Sequence, residues 1–224
     1  MAEQWQFIDT GEGDPAWNMA FDDVVLRRAE AMNTAVLRFY GWSEPAATFG
    51  YFQRHSEVEA MTELRPLIRR SAGGGLVPHD ADWTYSISVP ATHDWHAMRA
   101  AESYRRAHEW LQRAFEAAGV ATELADCCVA EGPGRCFAGA EKFDLLFRGR
   151  KIAGAAQRRV KFGLLIQGSV QPGDVGVGRA AWREAMQQVA DVEWSEFQRD
   201  DEFDSEVEAL VRSKYGAAEF IRRR

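Results

Sequence analysis

The chain has 224 residues, 46% of them hydrophobic, with 27 basic and 34 acidic side chains for a net charge of −7. That length is enough for one full hydrophobic core, and the acidic balance argues against broad binding to nucleic acid or a membrane surface, although a local basic pocket is still allowed. No apolar run reaches the roughly 20 residues of a bilayer span, and Met1-Ala2-Glu3-Gln4 lacks secretory character, so a cytoplasmic chain is expected.

Residues 5–8 read as a short first strand, ended by Asp9-Thr10-Gly11 and a loop through Gly13, Asp14 and Pro15. From 16 to 32, Trp17, Ala20, Phe21, Val24, Val25 and Ala29 recur at helical spacing. A core-packing helix follows, with Asp22, Asp23, Arg27 and Arg28 mostly on its other face. Residues 35–40 and 46–51 make the second and third strands, joined by a loop carrying Trp42, Glu44 and Pro45. Trp42 and Phe52 are expected as core aromatics, with the wall of a binding pocket as the alternative.

The segment from Arg69-Arg70 through Ser71, Ala72, Gly73, Gly74 and Gly75 to His79-Asp80 is the most informative in the chain. Residues without a Cβ let backbone amides approach a ligand closely and adopt positive φ, which suits a carboxylate, a phosphate or a developing oxyanion; the alternative is a surface turn with a basic flank. Residues 83–89 alternate as Trp-Thr-Tyr-Ser-Ile-Ser-Val, the pattern of a strand with one buried face, which puts the glycine turn at the mouth of a sheet.

Residues 97–118 form the strongest helical pattern, through Tyr104, Ala107, Leu111, Ala114 and Phe115, stopped by Gly119. A loop over 127–139 holds Cys127, Cys128 and Cys136; their spacing fits neither a disulfide framework nor a structural zinc site. Residues 143–147 and 151–158 make a hairpin about Arg148-Gly149-Arg150, followed by a strand over 164–170. On its second arm Lys151, Ala153 and Ala155 share a face, and the small run Ala153, Gly154, Ala155 and Ala156 leaves room for something to lie against the backbone. Residues 179–190 and 201–215 read as two helices around an acidic linker, and no chemistry is assigned to them.

These pieces in this order resemble the lipoate-protein ligase and octanoyltransferase family, which is related to biotin protein ligases. The resemblance rests on Asn18-Met19-Ala20-Phe21-Asp22, Leu37-Arg38-Phe39-Tyr40, Gly50-Tyr51-Phe52-Gln53, the Arg69-Arg70 segment with His79-Asp80, and Gly149-Arg150-Lys151-Ile152-Ala153-Gly154-Ala155-Ala156-Gln157-Arg158. It implies an α/β (α+β) fold of the biotin/lipoate protein ligase catalytic-domain type, a mixed, largely antiparallel sheet flanked by helices, over a single domain at 1–224 with no accessory domain. Arg70, Gly73, Gly74, Gly75, His79, Gly154 and Ala155 are the implied substrate-binding residues, and no metal site is expected for transfer.

The family holds two chemistries. The transferase branch passes an acyl group from a carrier thioester to an enzyme cysteine and then to an acceptor amine. Cys136, in Arg135-Cys136-Phe137, matches that cysteine, with Lys151 as its catalytic partner in proton transfer and Arg135 adding to the local positive field. The implied donor is acyl carrier protein or a lipoylated protein; the implied acceptor is a lipoyl domain or the glycine-cleavage H protein. The ligase branch would instead require ATP and Mg²⁺, and a non-catalytic lipoyl-binding module is a third reading. Cys127 and Cys128 are expected to be structural. A Cys136-His79-Asp80 triad is awkward because adjacent residues of an extended segment face opposite sides. Pro78 stands where the family often has an aromatic residue, which reshapes the expected pocket wall.

Overall fold

A computed structural model describes residues 2–128 and 139–223. Its strands are β1 (Glu3–Gly13), β2 (Ala35–Trp42), β3 (Ala46–Phe49), β4 (Leu67–Arg69), β5 (Val77–His79), β6 (Trp83–Pro90), β7 (Glu123–Leu124), β8 (Leu145–Phe147), β9 (Arg150–Val160), β10 (Gly163–Val170) and β11 (Val192–Glu196). Among the described residues, eight strands form one sheet in the order β11-β1-β2-β6-β10-β9-β8-β7, and β4-β3-β5 form a second, smaller one. In the large sheet β1 runs parallel to both β11 and β2, and the remaining pairs are antiparallel, so the expected mixed, largely antiparallel sheet is present.

Helix α1 (Pro15–Met32) covers one face of this sheet; α4 (Ala100–Ala117) and α5 (Arg179–Gln188) cover the other. Asp14 caps α1 by accepting from the amides of Ala16 and Trp17, Pro15 opens its first turn, and Asn33 ends it at φ 47°. The α4/α5 face is the main apolar core: Leu37, Phe39, Tyr85, Ile87, Leu164 and Ile166 meet Trp110, Leu111, Phe115, Trp182 and Met186. The opposite face of β6 and β10 is also buried but polar, with Thr84, Ser86, Ser88, Gln167 and Ser169 beneath α1. The alternation in β6 is therefore real, but it separates an apolar from a polar buried face rather than core from solvent.

Other expectations are corrected. β1 does not stop at Ile8; it runs to Gly13 through a bulge between Asp9 and Glu12, where Gly11 takes φ 65°. The acidic linker contains β11, whose Val192, Trp194 and neighbours pair with β1. The last long helix is α6 (Asp201–Leu210) followed by a π turn over Val211–Tyr215. Asp22 and Asp23 are both buried instead of facing solvent: Asp22 faces the sheet, where Arg38, Ser86 and Gln167 meet it, and Asp23 is covered by Lys214 and Tyr215 of the π turn, which packs on α1.

Candidate active site

The cleft lies between the α1 side of the large sheet and the small sheet. Met19, Tyr40, Trp42, Val77, Ala155 and Ala156 give it apolar walls, while Thr48, Arg70, His79, Thr84, Gln167 and Ser169 supply polar groups; Gly154 and Gly168 complete the lining. Its free space is about 400 Å³ with the solvent at its open side included. The indole of Trp42 stacks on His79 at 3.8 Å and 22° and donates to Thr84 Oγ1 at 2.8 Å. The core-aromatic reading of Trp42 thus gives way to the pocket-wall reading, and Phe52 is 70% exposed and belongs to no core.

The base of the cleft is held by a buried ion pair. Asp22 accepts from Arg38 Nη1 (2.8 Å), Ser86 Oγ (2.8 Å), Gln167 Nε2 (2.8 Å) and Tyr40 OH (3.2 Å). Arg38 also donates to Asn18 and Thr10 and lies between the rings of Phe21 and Tyr40. With both side chains 1% exposed, such a pair is tolerable only because nearly every donor and lone pair is used.

One wall carries a polar chain. Arg70 donates to Thr48 Oγ1 at 2.8 Å, Thr48 Oγ1 lies 2.7 Å from His79 Nε2, and His79 Nδ1 lies 2.8 Å from Asp82 Oδ2. The same carboxylate oxygen accepts from Thr84 Oγ1 and Ser169 Oγ. The pattern is satisfied when His79 carries its proton on Nδ1 and accepts the Thr48 hydroxyl at Nε2. The acid that orients His79 is therefore Asp82, three residues on; Asp80 is exposed, so no His79-Asp80 pair forms. Arg70 also donates to the carbonyls of Gly73 (2.9 Å) and Gly75 (2.8 Å), tying the glycine turn to the cleft. Gly73, Gly74 and Gly75 stand beside the lining residues rather than among them. Arg69, fully buried, donates to the carbonyls of Tyr51, Gln53, Phe220 and Ile221 and anchors the C-terminal segment.

The other wall carries Lys151. Strict alternation would send it to the face of Ala153 and Ala155, as the sequence suggests. A bulge opposes the two-residue step Lys151 to Ala153 to the single step Leu146 to Leu145, and a bulge changes which face a side chain takes. Lys151 instead lies over Gly154 on the cleft side, with its Nζ 2.7 Å from Asp144 Oδ2. Asp144, fully buried, also accepts from the Glu141 amide (2.7 Å) and from Tyr104 OH. Tyr104 OH in turn accepts from the amide of Ala155 at 3.2 Å.

Burial, reinforced by Asp144, pushes the Tyr104 phenol well above its ordinary range, so it remains a donor. Cys136 lies outside the described residues. Cys127 and Cys128 are exposed, not packed in a core; the Glu141 carboxylate, accepting from Cys128 Sγ, raises that thiol's pKa and leaves it less reactive. Asp82, Asp144, Tyr104 and Thr48 are site residues that sequence reasoning missed. The one available signal was an acid, Asp144, set beside the apolar run Leu145-Leu146-Phe147.

Residues 14–172 match the lipoyl protein ligase A/B catalytic domain family. The octanoyltransferase LipM of Halalkalibacterium halodurans is 35% identical over 181 residues, covering 75% of this chain and 66% of that protein. That of Staphylococcus aureus is 35% identical over 185 residues, covering 76% and 66%. The matched stretch thus spans just under two thirds of these relatives' length. Among solved structures, lipoate-protein ligase A bound with ATP superposes with a TM-score of 0.80 at 20% identity, over 99% of both chains. A bi-partite lipoate protein ligase from Thermoplasma acidophilum, described with its E2 lipoyl domain, does so at 0.77 and 18%, over 99% of this chain and 97% of that one. At these identities the two structures establish a shared fold.

Proposed function

Because the chain belongs to the lipoyl protein ligase A/B catalytic-domain family, we propose that it is a cysteine-dependent acyltransferase that moves an octanoyl or lipoyl group from a carrier-protein thioester, or from a lipoylated protein, to a lysine of a lipoyl domain or glycine-cleavage H protein. The observation that carries this reading is the placement of Lys151 on the cleft side of β9, paired with Asp144 at 2.7 Å, beside an apolar-walled cleft of acyl-chain character. The relatives named octanoyltransferase support transfer over activation.

In the proposed sequence the acyl chain lies between Met19, Trp42, Val77 and Ala156, with its carbonyl toward Lys151. The Cys136 thiol attacks the donor thioester; its proton goes to the departing carrier sulfur, and the acyl group becomes a thioester on Cys136. The acceptor amine then attacks that thioester, an amide forms, and the amine's proton returns to the Cys136 sulfur. Lys151 supplies positive charge to the thiolate and to the carbonyl oxygen as each tetrahedral centre develops. The glycine turn held by Arg70 offers backbone amides for the same purpose.

Intact-protein mass spectrometry after incubation with octanoyl carrier protein, without ATP, tests this. An adduct removed by hydroxylamine and absent from Cys136→Ala is expected. Absence of an adduct, with acceptor labelled only when ATP, Mg²⁺ and free lipoate are present, would assign the chain to the ligases. Ligand binding with neither outcome would leave a lipoyl-binding module.

A further inference from the structure

The proposed reaction uses a charged lysine, and Lys151 is one of the most enclosed cations in the molecule, with its side chain 7% exposed. A buried ammonium must be paired, or it surrenders its proton. We infer that Asp144, seated by Tyr104 and the Glu141 amide, is the positioning residue that draws Lys151 across the bare face of Gly154 and holds its Nζ beside the cleft. The inference rests on the proposed transfer reaction.

Four observations build it. Asp144 is fully buried, and its oxygens face donors: Lys151 Nζ and the Glu141 amide on Oδ2, Tyr104 OH on Oδ1. Its backbone is fixed as well, since Asp144 O accepts from Ala125 N and Phe143 N donates to Ala125 O. Tyr104 bridges from α4 to the backbone of Ala155, a cleft residue, so the carboxylate is keyed to the cleft wall. A Cβ at Gly154 would stand 2.9 Å from Lys151 Cε, 3.0 Å from its Nζ and 3.2 Å from Asp144 Oδ1, so the pair occupies the space this glycine leaves.

Among the described residues, the Tyr104 and Tyr85 phenols and the His108 imidazole are packed about the pair. Tyr104 and Tyr85 are held protonated, both chiefly by burial and then by Asp144. His108, from α4, is pushed below its ordinary range by burial, so it stays neutral near pH 7 and its Nδ1 faces the Tyr104 carbonyl. Among the described residues, Asp144 is the carboxylate that meets Lys151 Nζ. Without Asp144 the enclosed Lys151 would be left without this countercharge, and its seat over Gly154 would be lost with it.

The experiment compares the full-length protein with Asp144→Asn and Tyr104→Phe. Trace acetylation of Lys151 at graded pH, read by peptide mass spectrometry, reports the amine's protonation independently of turnover; acylation of Cys136 from octanoyl carrier protein is timed over the same range. In Asp144→Asn, Lys151 is expected to become reactive at a pH roughly 1–3 lower than in the wild type. Acylation should be slower than in the wild type, with its alkaline limb moved in the same direction. Tyr104→Phe, which keeps the carboxylate but removes one of its donors, should move both in that direction by less, and it carries the test should Asp144→Asn not fold. Unchanged Lys151 labelling in the folded variants would overturn the inference, as would slower acylation with an unmoved pH profile. If the wild type forms no Cys136 adduct, the transfer reaction fails, and the labelling profiles still decide the role of Asp144.

Discussion

Replacing Gly154 by Ala adds one methyl group at the point where Lys151 crosses β9. The added carbon would stand 2.9 Å from Cε and 3.0 Å from Nζ of Lys151, whereas comfortable non-bonded separations are about 3.5–4.0 Å. Both atoms are the far end of a flexible side chain, so the lysine yields and the strand does not. A retreat of roughly 0.5–1 Å carries the 2.7 Å Lys151–Asp144 contact past about 3.2 Å, where such bonds weaken. A charge-assisted hydrogen bond contributes about 1.5–3 kcal/mol, and displacement of a catalytic group by about 1 Å can cost 100-fold. The rate of Cys136 acylation by octanoyl carrier protein should therefore fall about 10–100-fold. Stability should change little, because alanine in a strand recovers about 0.5–1 kcal/mol of the glycine's entropic cost. Acyl-enzyme formation followed by intact mass, beside urea unfolding of the same preparation, separates the two effects. Gly178→Ala, where nothing lies within 4 Å of the added carbon, serves as the control. A Gly154→Ala protein that acylates at the wild-type rate would refute the placement of Lys151 over this glycine.

Asp22→Asn should be the opposite case, a loss of stability. It leaves the Arg38 guanidinium, 1% exposed, without its countercharge; urea unfolding should show a loss of about 3–5 kcal/mol, and a loss under about 1 kcal/mol would contradict the reading of this pair as interdependent. Asp23 gives a pH-dependent counterpart. Burial alone would raise its carboxyl, but Lys214, Arg158 and Arg27 outweigh burial and hold it below the ordinary value. A depressed carboxyl stabilises the fold above the unfolded-state value of about 3.9, and that contribution fades as pH falls through the lower folded-state value. Asp23→Asn should therefore be less stable than wild type at pH 7, with the two unfolding midpoints converging below about pH 4. A gap that stays constant down to pH 2.5 would refute it.

The strong helical periodicities of α1 and α4 were legible because an apolar stripe at 3.6-residue spacing has to be buried whatever lies beyond it. The hairpin at Arg148-Gly149 was legible too: both residues take positive φ, 51° and 73°, as the tight two-residue turn requires. Arg70, His79, Gly154 and Ala155, singled out in the sequence, line one cleft. Local pattern misplaced Asp22 and Asp23, since a charged residue on an amphipathic helix reads as solvated until its partners are known: Asp22 meets Arg38, Ser86 and Gln167 on the sheet, and Asp23 meets Lys214 and Tyr215 from the C-terminal segment. The extended backbone at His79-Asp80 already spoke against pairing those neighbours, but that Asp82 is the acid at the ring was not legible, because the turn after β5 brings it there.

By itself the sequence determined the element order, the family to which the chain belongs and the chemical types at the cleft, because periodicity, turn residues and short motifs are local properties. Tertiary structure alone decided which of those residues meet. Lys151 lies over Gly154, beside the residues that line the cleft, because one extra residue in β9 turns it from the face that alternation predicts. Asp144 holds it there because α4 brings Tyr104 to the same spot from forty positions earlier in the chain. Such encounters depend on register and packing between distant segments, which no window of sequence contains.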